Sequence, residues 1–254
     1  MKTMQTASGR RLGVLDAARG FVLLNMLVYH LLYDLVALFG VRLSWFWEWQ
    51  GTVWQQFIAC GFIFLSGISC GFSRSNARRG AQLLGWGMAL SLGTWLVMPQ
   101  QIIRFGVLHF LGCAALLWAL TGRFLDRLPA GVLLTGGLLL FLLTNGTQWG
   151  YWGVWRLPLL ELPTGLYTTR WLFPLGFPGP DFYSSDYFPL LPWIFLFWAG
   201  TAFHRVLENA PRLRRALEPQ VPLLSALGRR TLVVYLLHQP VIYGLVWMWY
   251  RFCA

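Results

Sequence analysis

The chain has 254 residues, of which 57% are apolar and only 11% charged, and its mean hydropathy is +0.55. A soluble domain carries about 25% charged residues, so this chain cannot cover itself with polar surface and a soluble monomer is excluded. The net charge of +11, from 20 Lys and Arg against 9 Asp and Glu, would suggest nucleic acid in a soluble protein. Without a separate polar domain or an aromatic-plus-basic module, it points instead to loops facing anionic membrane lipid, and nucleic acid is set aside as a partner.

The expected fold class is all-α: a single integral membrane domain over 1–254, a polytopic transmembrane helix bundle of about seven spans (six to eight). A span needs about 20 mainly apolar residues. In chain order the spans fall at about 14–38, 52–72, 81–98, 105–121, 130–145, 188–206 and 231–250. Lys2, Arg10 and Arg11 precede the first apolar run as in a signal peptide. That run is too long for one and has no small-residue cleavage site, so it reads as a retained span. Gly61, Gly67 and Gly71 line the second, and the spacing of Gly67 and Gly71 predicts close helix packing. The 146–187 segment holds Pro158, Pro163, Pro174, Pro178 and Pro180. It is too long and aromatic for a plain loop, which predicts a re-entrant or surface-lying piece.

Orientation follows from the Lys/Arg bias. With the N-terminus in the cytoplasm, only Arg42, Arg104, Arg156, Arg170 and Arg251 of the 20 basic residues fall outside. The chain is therefore expected to run N-in, C-out, in the inner (plasma) membrane if the cell is bacterial. No internal repeat is visible, which disfavours inverted-repeat transporters. Cys60, Cys70, Cys113 and Cys253 form neither a CxxC motif nor a Cys/His cluster, so no disulfide framework and no metal is expected.

Ionisable residues inside spans are costly and mark function or a buried ion pair. The first span carries Asp16, Arg19, His30 and Asp34. Arg19 and His30 are about 16 Å apart along a helix and close to one face, and Asp34 lies one turn beyond His30, where the two side chains can meet. A carboxylate beside an imidazole fixes its tautomer and raises its basicity, as a general base requires. His109 in the fourth span is expected near the depth of His30. Asp186 opens the sixth span, where a helix cap is the competing reading. His238 lies in the seventh, next to Gln239 and Pro240, whose ring leaves a backbone carbonyl free. His204 is expected in solvated interface. Arg74, Arg229 and Arg230, with their basic neighbours, are topology determinants or a phosphate-binding set for a nucleotide-like cosubstrate.

Five stretches, in order, resemble one family: Leu15-Asp16-Ala17-Ala18-Arg19-Gly20, Phe62-Ile63-Phe64-Leu65-Ser66-Gly67, Gly106-Val107-Leu108-His109, Asp186-Tyr187-Phe188-Pro189-Leu190-Leu191-Pro192-Trp193, and Gly228-Arg229-Arg230-Thr231-Leu232 continuing through Tyr235-Leu236-Leu237-His238-Gln239-Pro240. The chain resembles bacterial members of the heparan-α-glucosaminide N-acetyltransferase catalytic-domain family, membrane acyltransferases with an Arg-x10-His signature. That resemblance implies transfer of an acyl group from cytoplasmic acetyl-CoA, a cosubstrate, to an amine or hydroxyl acceptor, a small molecule or glycan, at the opposite face. Arg19 and His30 match the signature pair: His30 would be the base or transient acyl carrier, and Arg19 would orient CoA. Asp34, His109 and Asp186 complete the catalytic candidates, and Arg74, Arg229, Arg230 and His238 the cofactor-binding ones. The chain is shorter than larger relatives and lacks a lumenal domain, so its acceptor need not be heparan glucosamine. Assembly into a homo-oligomer is left open.

The rival reading is a proton-coupled membrane transporter using Arg19, His30 and Asp34 as a relay; a third is a non-catalytic membrane subunit. A transporter would bind its substrate without CoA and depend on a pH gradient, and a subunit would tolerate His30→Ala.

Overall fold

The computed structural model describes residues 11–154 and 156–253; Lys2 and Arg10, counted above for orientation, lie outside them. Among the described residues the architecture is all-α apart from one small hairpin. The helices are α1 (Gly13–Tyr33), α2 (Trp49–Gly71), α3 (Asn76–Val97), α4 (Val107–Leu125), α5 (Ala130–Leu143), α6 (Leu190–Asn209), α7 (Pro211–Ala216), α8 (Pro222–Arg229) and α9 (Thr231–Phe252). Six segments are long and apolar enough to cross a membrane: Gly13–Leu38, Trp49–Gly71, Val107–Leu125, Ala130–Trp149, Leu190–Asn209 and Thr231–Phe252. α3 stands where the remaining expected span falls, but Gln82, Trp86, Trp95 and its glycines lower its hydropathy and keep it out of that set.

The chain divides into two compact units, residues 1–62 with 210–254, and 63–209. In the first, α1 continues past Tyr33 into a π-helical turn, Asp34–Leu38, closed by the Phe39 amide on the Asp34 carbonyl (3.0 Å). Gly40, at φ +73°, then takes the chain out of the helix in a conformation that favours glycine. The other end of α1 is anchored by the α7–α8 segment. The Val14 amide, one of the donors a helix N-terminus leaves unpaired, bonds to the Leu217 carbonyl (3.0 Å), and the buried Ser225 hydroxyl donates to the Gly13 carbonyl (3.1 Å). Backbones come close enough there that a Cβ on Gly20 would strike the Leu224 carbonyl.

α9 runs beside α1 in the same direction. His30 lies against His238, Asp34 against Gln239, and Phe39 against Tyr243 and Tyr250, so positions ascend together along both helices.

In the second unit α3 packs on α4 and α5 on α6. The spacing of Gly67 and Gly71 serves the packing expected of it: Gly67 lies against Gly200 and the Phe197 carbonyl of α6, and Gly71 lies against the His204 ring. His204 is therefore buried, at 6% exposure, rather than solvated as expected, with Glu208 3.4 Å from its Nε2. The long segment after α5 forms an antiparallel hairpin, β1 (Tyr151–Val154) with β2 (Leu157–Glu161), followed by 3-10 turns. β2 is exposed along its whole length.

Candidate active site: an imidazole pair on α1 and α9

The chemistry-bearing residues of the first unit meet where α1 and α9 run side by side. The His30 and His238 rings lie 4.6 Å apart, inclined at 65°. One turn further along α1, Asp34 is fully buried, and its Oδ1 accepts a hydrogen bond from Gln239 Nε2 at 2.7 Å. The contact made is thus not the His30–Asp34 pair that the i, i+4 spacing suggested. Each of the two residues faces α9, and consecutive residues there, His238 and Gln239, take them up separately. Tyr29 and Tyr33 set their rings edge-on to His30. Tyr29 packs in turn on Phe46 and Trp54, and Tyr33 on Trp47, so His30 is held by an aromatic wall.

The tautomer of His238 follows from its partner. Its Nδ1 faces the Tyr235 carbonyl within hydrogen-bond distance. A carbonyl only accepts, so Nδ1 carries the proton, and in the neutral ring Nε2 holds a lone pair. That Nε2 is buried and has no partner among the described residues. His30 Nδ1, Asp34 Oδ2 and Gln239 Oε1 are buried and unpartnered as well. A buried polar atom left unpaired is destabilising by about 1–3 kcal/mol, and most are satisfied. Four such atoms fall on neighbouring residues of α1 and α9, His30, Asp34, His238 and Gln239. Pro240, directly after the pair, cannot donate to the Leu236 carbonyl one turn back, which loosens the helix at this level.

An open groove of about 430 Å³ runs between α1 and α9 beside the pair, lined by Leu, Val and Ile side chains and by His238. Toward the start of α1, Arg19 donates to Asp16 Oδ1 (2.8 Å) and Arg11 Nε to Asp16 Oδ2 (2.7 Å). Arg19, expected to orient CoA, therefore also neutralises a carboxylate that is only 3% exposed. A second cavity of about 530 Å³ opens there, lined by Arg11, Arg215, Glu218, Pro219 and Gln220. Arg229 and Arg230 are exposed at the junction of α8 and α9.

His109, Asp186 and Arg74 belong to the second unit. His109 is buried on α4, its ring stacked on Phe105 and its Nε2 3.3 Å from the Ser91 hydroxyl of α3. That hydroxyl donates to the Ile103 carbonyl (2.5 Å), so its oxygen takes a proton from His109 Nε2, leaving the buried Nδ1 unpartnered. Asp186 Oδ2 accepts the Val107 amide (3.1 Å). It caps α4, whose first residue lies 79 positions earlier in the chain. Nearby, the Tyr187 phenol donates to the Phe173 carbonyl (2.6 Å), and burial raises its pKa above the ordinary tyrosine value. Arg74 is exposed before α3. Among the described residues no three His, Cys, Asp or Glu side chains gather closely enough to hold a metal ion.

Sequence spacing did not single out Gln239 as the partner of Asp34, Asp16 as the hub of two arginines, or Ser91 beside His109. Gln239 was findable as a polar residue next to His238 inside an apolar span, and Asp16 as a carboxylate between Arg11 and Arg19. Ser91 gives no signal of its own in an apolar helix.

The site lies within a region shared with known proteins. A family model described as heparan-alpha-glucosaminide N-acetyltransferase, catalytic, matches residues 11–240, from Arg11 through His30 and Asp34 to His238, Gln239 and Pro240. No curated protein and no solved structure gives a significant match. With about nine-tenths of its length matched, the chain belongs to the heparan-alpha-glucosaminide N-acetyltransferase catalytic family, and so to the membrane acetyltransferases.

Proposed function

We propose that the protein transfers an acetyl group from cytoplasmic acetyl-CoA to an amine or hydroxyl, of the kind borne by sugars, at the opposite membrane face, with His30 and His238 as its reacting imidazoles. The observation that carries this reading is the pair itself: two facing rings inside one apolar unit, each with a buried nitrogen that has no partner among the described residues. Acyl transfer from a thioester needs a group that takes the acceptor's proton and a site that excludes water. His238 is set up for the first task, because its Nδ1 proton is committed to the Tyr235 carbonyl and its Nε2 lone pair is free. His30, aligned with Arg19 on α1, acts as base or transient acetyl carrier. Asp34 and Gln239 hold each other and present one further oxygen each toward the acceptor.

On the donor side, the Arg11 and Arg215 cavity at the start of α1 offers guanidinium groups to the phosphates of CoA, with Arg19, Arg229 and Arg230 adding positive charge at the same end of the unit. The same buried groups in a transporter would relay protons without CoA. Family membership favours the enzyme.

The test is acetyl transfer by purified protein in detergent, followed as release of the CoA thiol. His30→Ala is expected to abolish it with the thermal unfolding profile intact, and His238→Ala to lower kcat by about 10²–10⁴-fold, the usual contribution of a positioned acid–base group. Undiminished turnover in His30→Ala overturns the mechanism.

A further inference from the structure

The groove between α1 and α9 is a poor match for a free sugar. Of its nine lining residues eight are Leu, Val or Ile, and His238 is the one polar member. Val28, Leu31, Val233, Leu237 and Val241 are 42%, 38%, 58%, 55% and 53% exposed, so the groove opens sideways along two membrane-spanning helices. In a bilayer, what lies against such a wall is hydrocarbon. His238, only 9% exposed, forms part of this wall, and its Nε2 is buried with no partner among the described residues.

We infer that the acyl acceptor is itself a membrane amphiphile, whose hydrocarbon chain lies in the α1/α9 groove and whose amine- or hydroxyl-bearing headgroup reaches His238. The inference rests on the acyl-transfer reading above and names the substrate class for that same site. The depth of the pair agrees with it. His30 is 17 residues beyond Gly13, about 26 Å along the helix at 1.5 Å per residue, and so close to one boundary of a hydrocarbon layer about 30 Å thick. A headgroup at His30 and His238 sits at that boundary. Its chain then runs back along Leu27 and Val233 toward the bilayer midplane. On the headgroup side lie Tyr33, Asp34 and Gln239, with the unpartnered Asp34 Oδ2 and Gln239 Oε1 able to take up its polar hydrogens. A chain held this way adds little affinity, since it leaves one apolar medium for another; it fixes where the headgroup stands.

The chemistry balances. As the headgroup nitrogen or oxygen bonds to the acetyl carbonyl carbon, its proton passes to His238 Nε2. The bond from that carbon to the donor sulfur breaks, and the departing thiolate takes the proton. The products are an N- or O-acetylated amphiphile and free CoA.

Membranes from cells producing the full chain are incubated with acetyl-CoA labelled in its acetyl group, then partitioned between chloroform–methanol and water, against membranes lacking the protein. The expected result is protein-dependent label in the organic phase. Val28→Trp and Val233→Trp, which put bulk into the groove from its exposed rim, lower that label by about tenfold, equivalent to about 1.4 kcal/mol. Thermal unfolding in detergent verifies that both variants fold. Protein-dependent label found only in water-soluble products, or organic label unchanged in both folded variants, overturns the amphiphile acceptor and leaves acyl transfer standing. Absence of protein-dependent transfer to either phase overturns acyl transfer and this inference together. The partition of the wild-type product is a test in its own right, independent of how either variant folds.

Discussion

What an imidazole can do is decided by what its two nitrogens face. His238 faces a backbone carbonyl with Nδ1 and buries an unpartnered Nε2 on the helix beside His30, and His109 faces Ser91 with Nε2 and buries an unpartnered Nδ1 against α3, beside Gly87. The carboxylates differ by their partners. Asp34 is fully buried with one oxygen unpartnered, while Asp16 and Asp186 hold structure, the first between two arginines and the second at the start of α4. Asp186→Ala should lower stability by about 1 kcal/mol, the usual value of a lost helix cap. Asp186→Asn, which keeps an acceptor oxygen, should lower it less. If capping is its whole contribution, thiol-release kinetics per folded molecule stay within a few-fold in both variants; a large fall in kcat at unchanged stability would place Asp186 in the chemistry. Which residues were candidates was legible in the sequence, because an ionisable group in an apolar span is conspicuous. Their pairing was not. The spacing of His30 and Asp34 speaks only for α1, and the choice between a neighbour one turn away and a partner on α9 is made by packing.

Elements sit where composition put them to the extent that apolar length decides. The helices occupy the expected spans, and the glycines of α2 do the work of close approach. Gly67 and Gly200 face each other, and a Cβ on either would meet the opposite backbone. Gly67→Ala and Gly200→Ala should each destabilise by about 1–3 kcal/mol, the range for overpacking. Because the two sites touch, the double variant should lose less than the sum. Thermal unfolding in detergent measures all three. Two local features were not legible. The π-helical turn after Tyr33 arises where α1 adjusts its winding beside α9, and such turns concentrate at functional sites. The hairpin in the segment after α5 has strands of only four and five residues, too short for an alternating pattern to show against its prolines.

On the scale of the whole molecule, the reading as a polytopic helical membrane protein came from bulk hydropathy, which is the strongest signal a sequence carries, because backbone in lipid must satisfy itself within helices or closed barrels. The candidate site within the first unit depends on α1 and α9 meeting across more than two hundred residues of chain, a contact that no local pattern encodes. The direction of those two helices has a consequence for counting. Both run the same way, so a chain that leaves α1 on one side of the membrane must return to the original side before entering α9. That demands an odd number of crossings in between. α2, α4, α5 and α6 make four, and α3 is the helix that restores the parity. Reporter fusions after Arg74 and after Ile102 are therefore expected to report opposite sides of the membrane, despite the low hydropathy of the helix between them. Reporters on the same side would require one of the other four to enter and leave by a single face. Parity also sends the far end of α9 to the side opposite the start of α1.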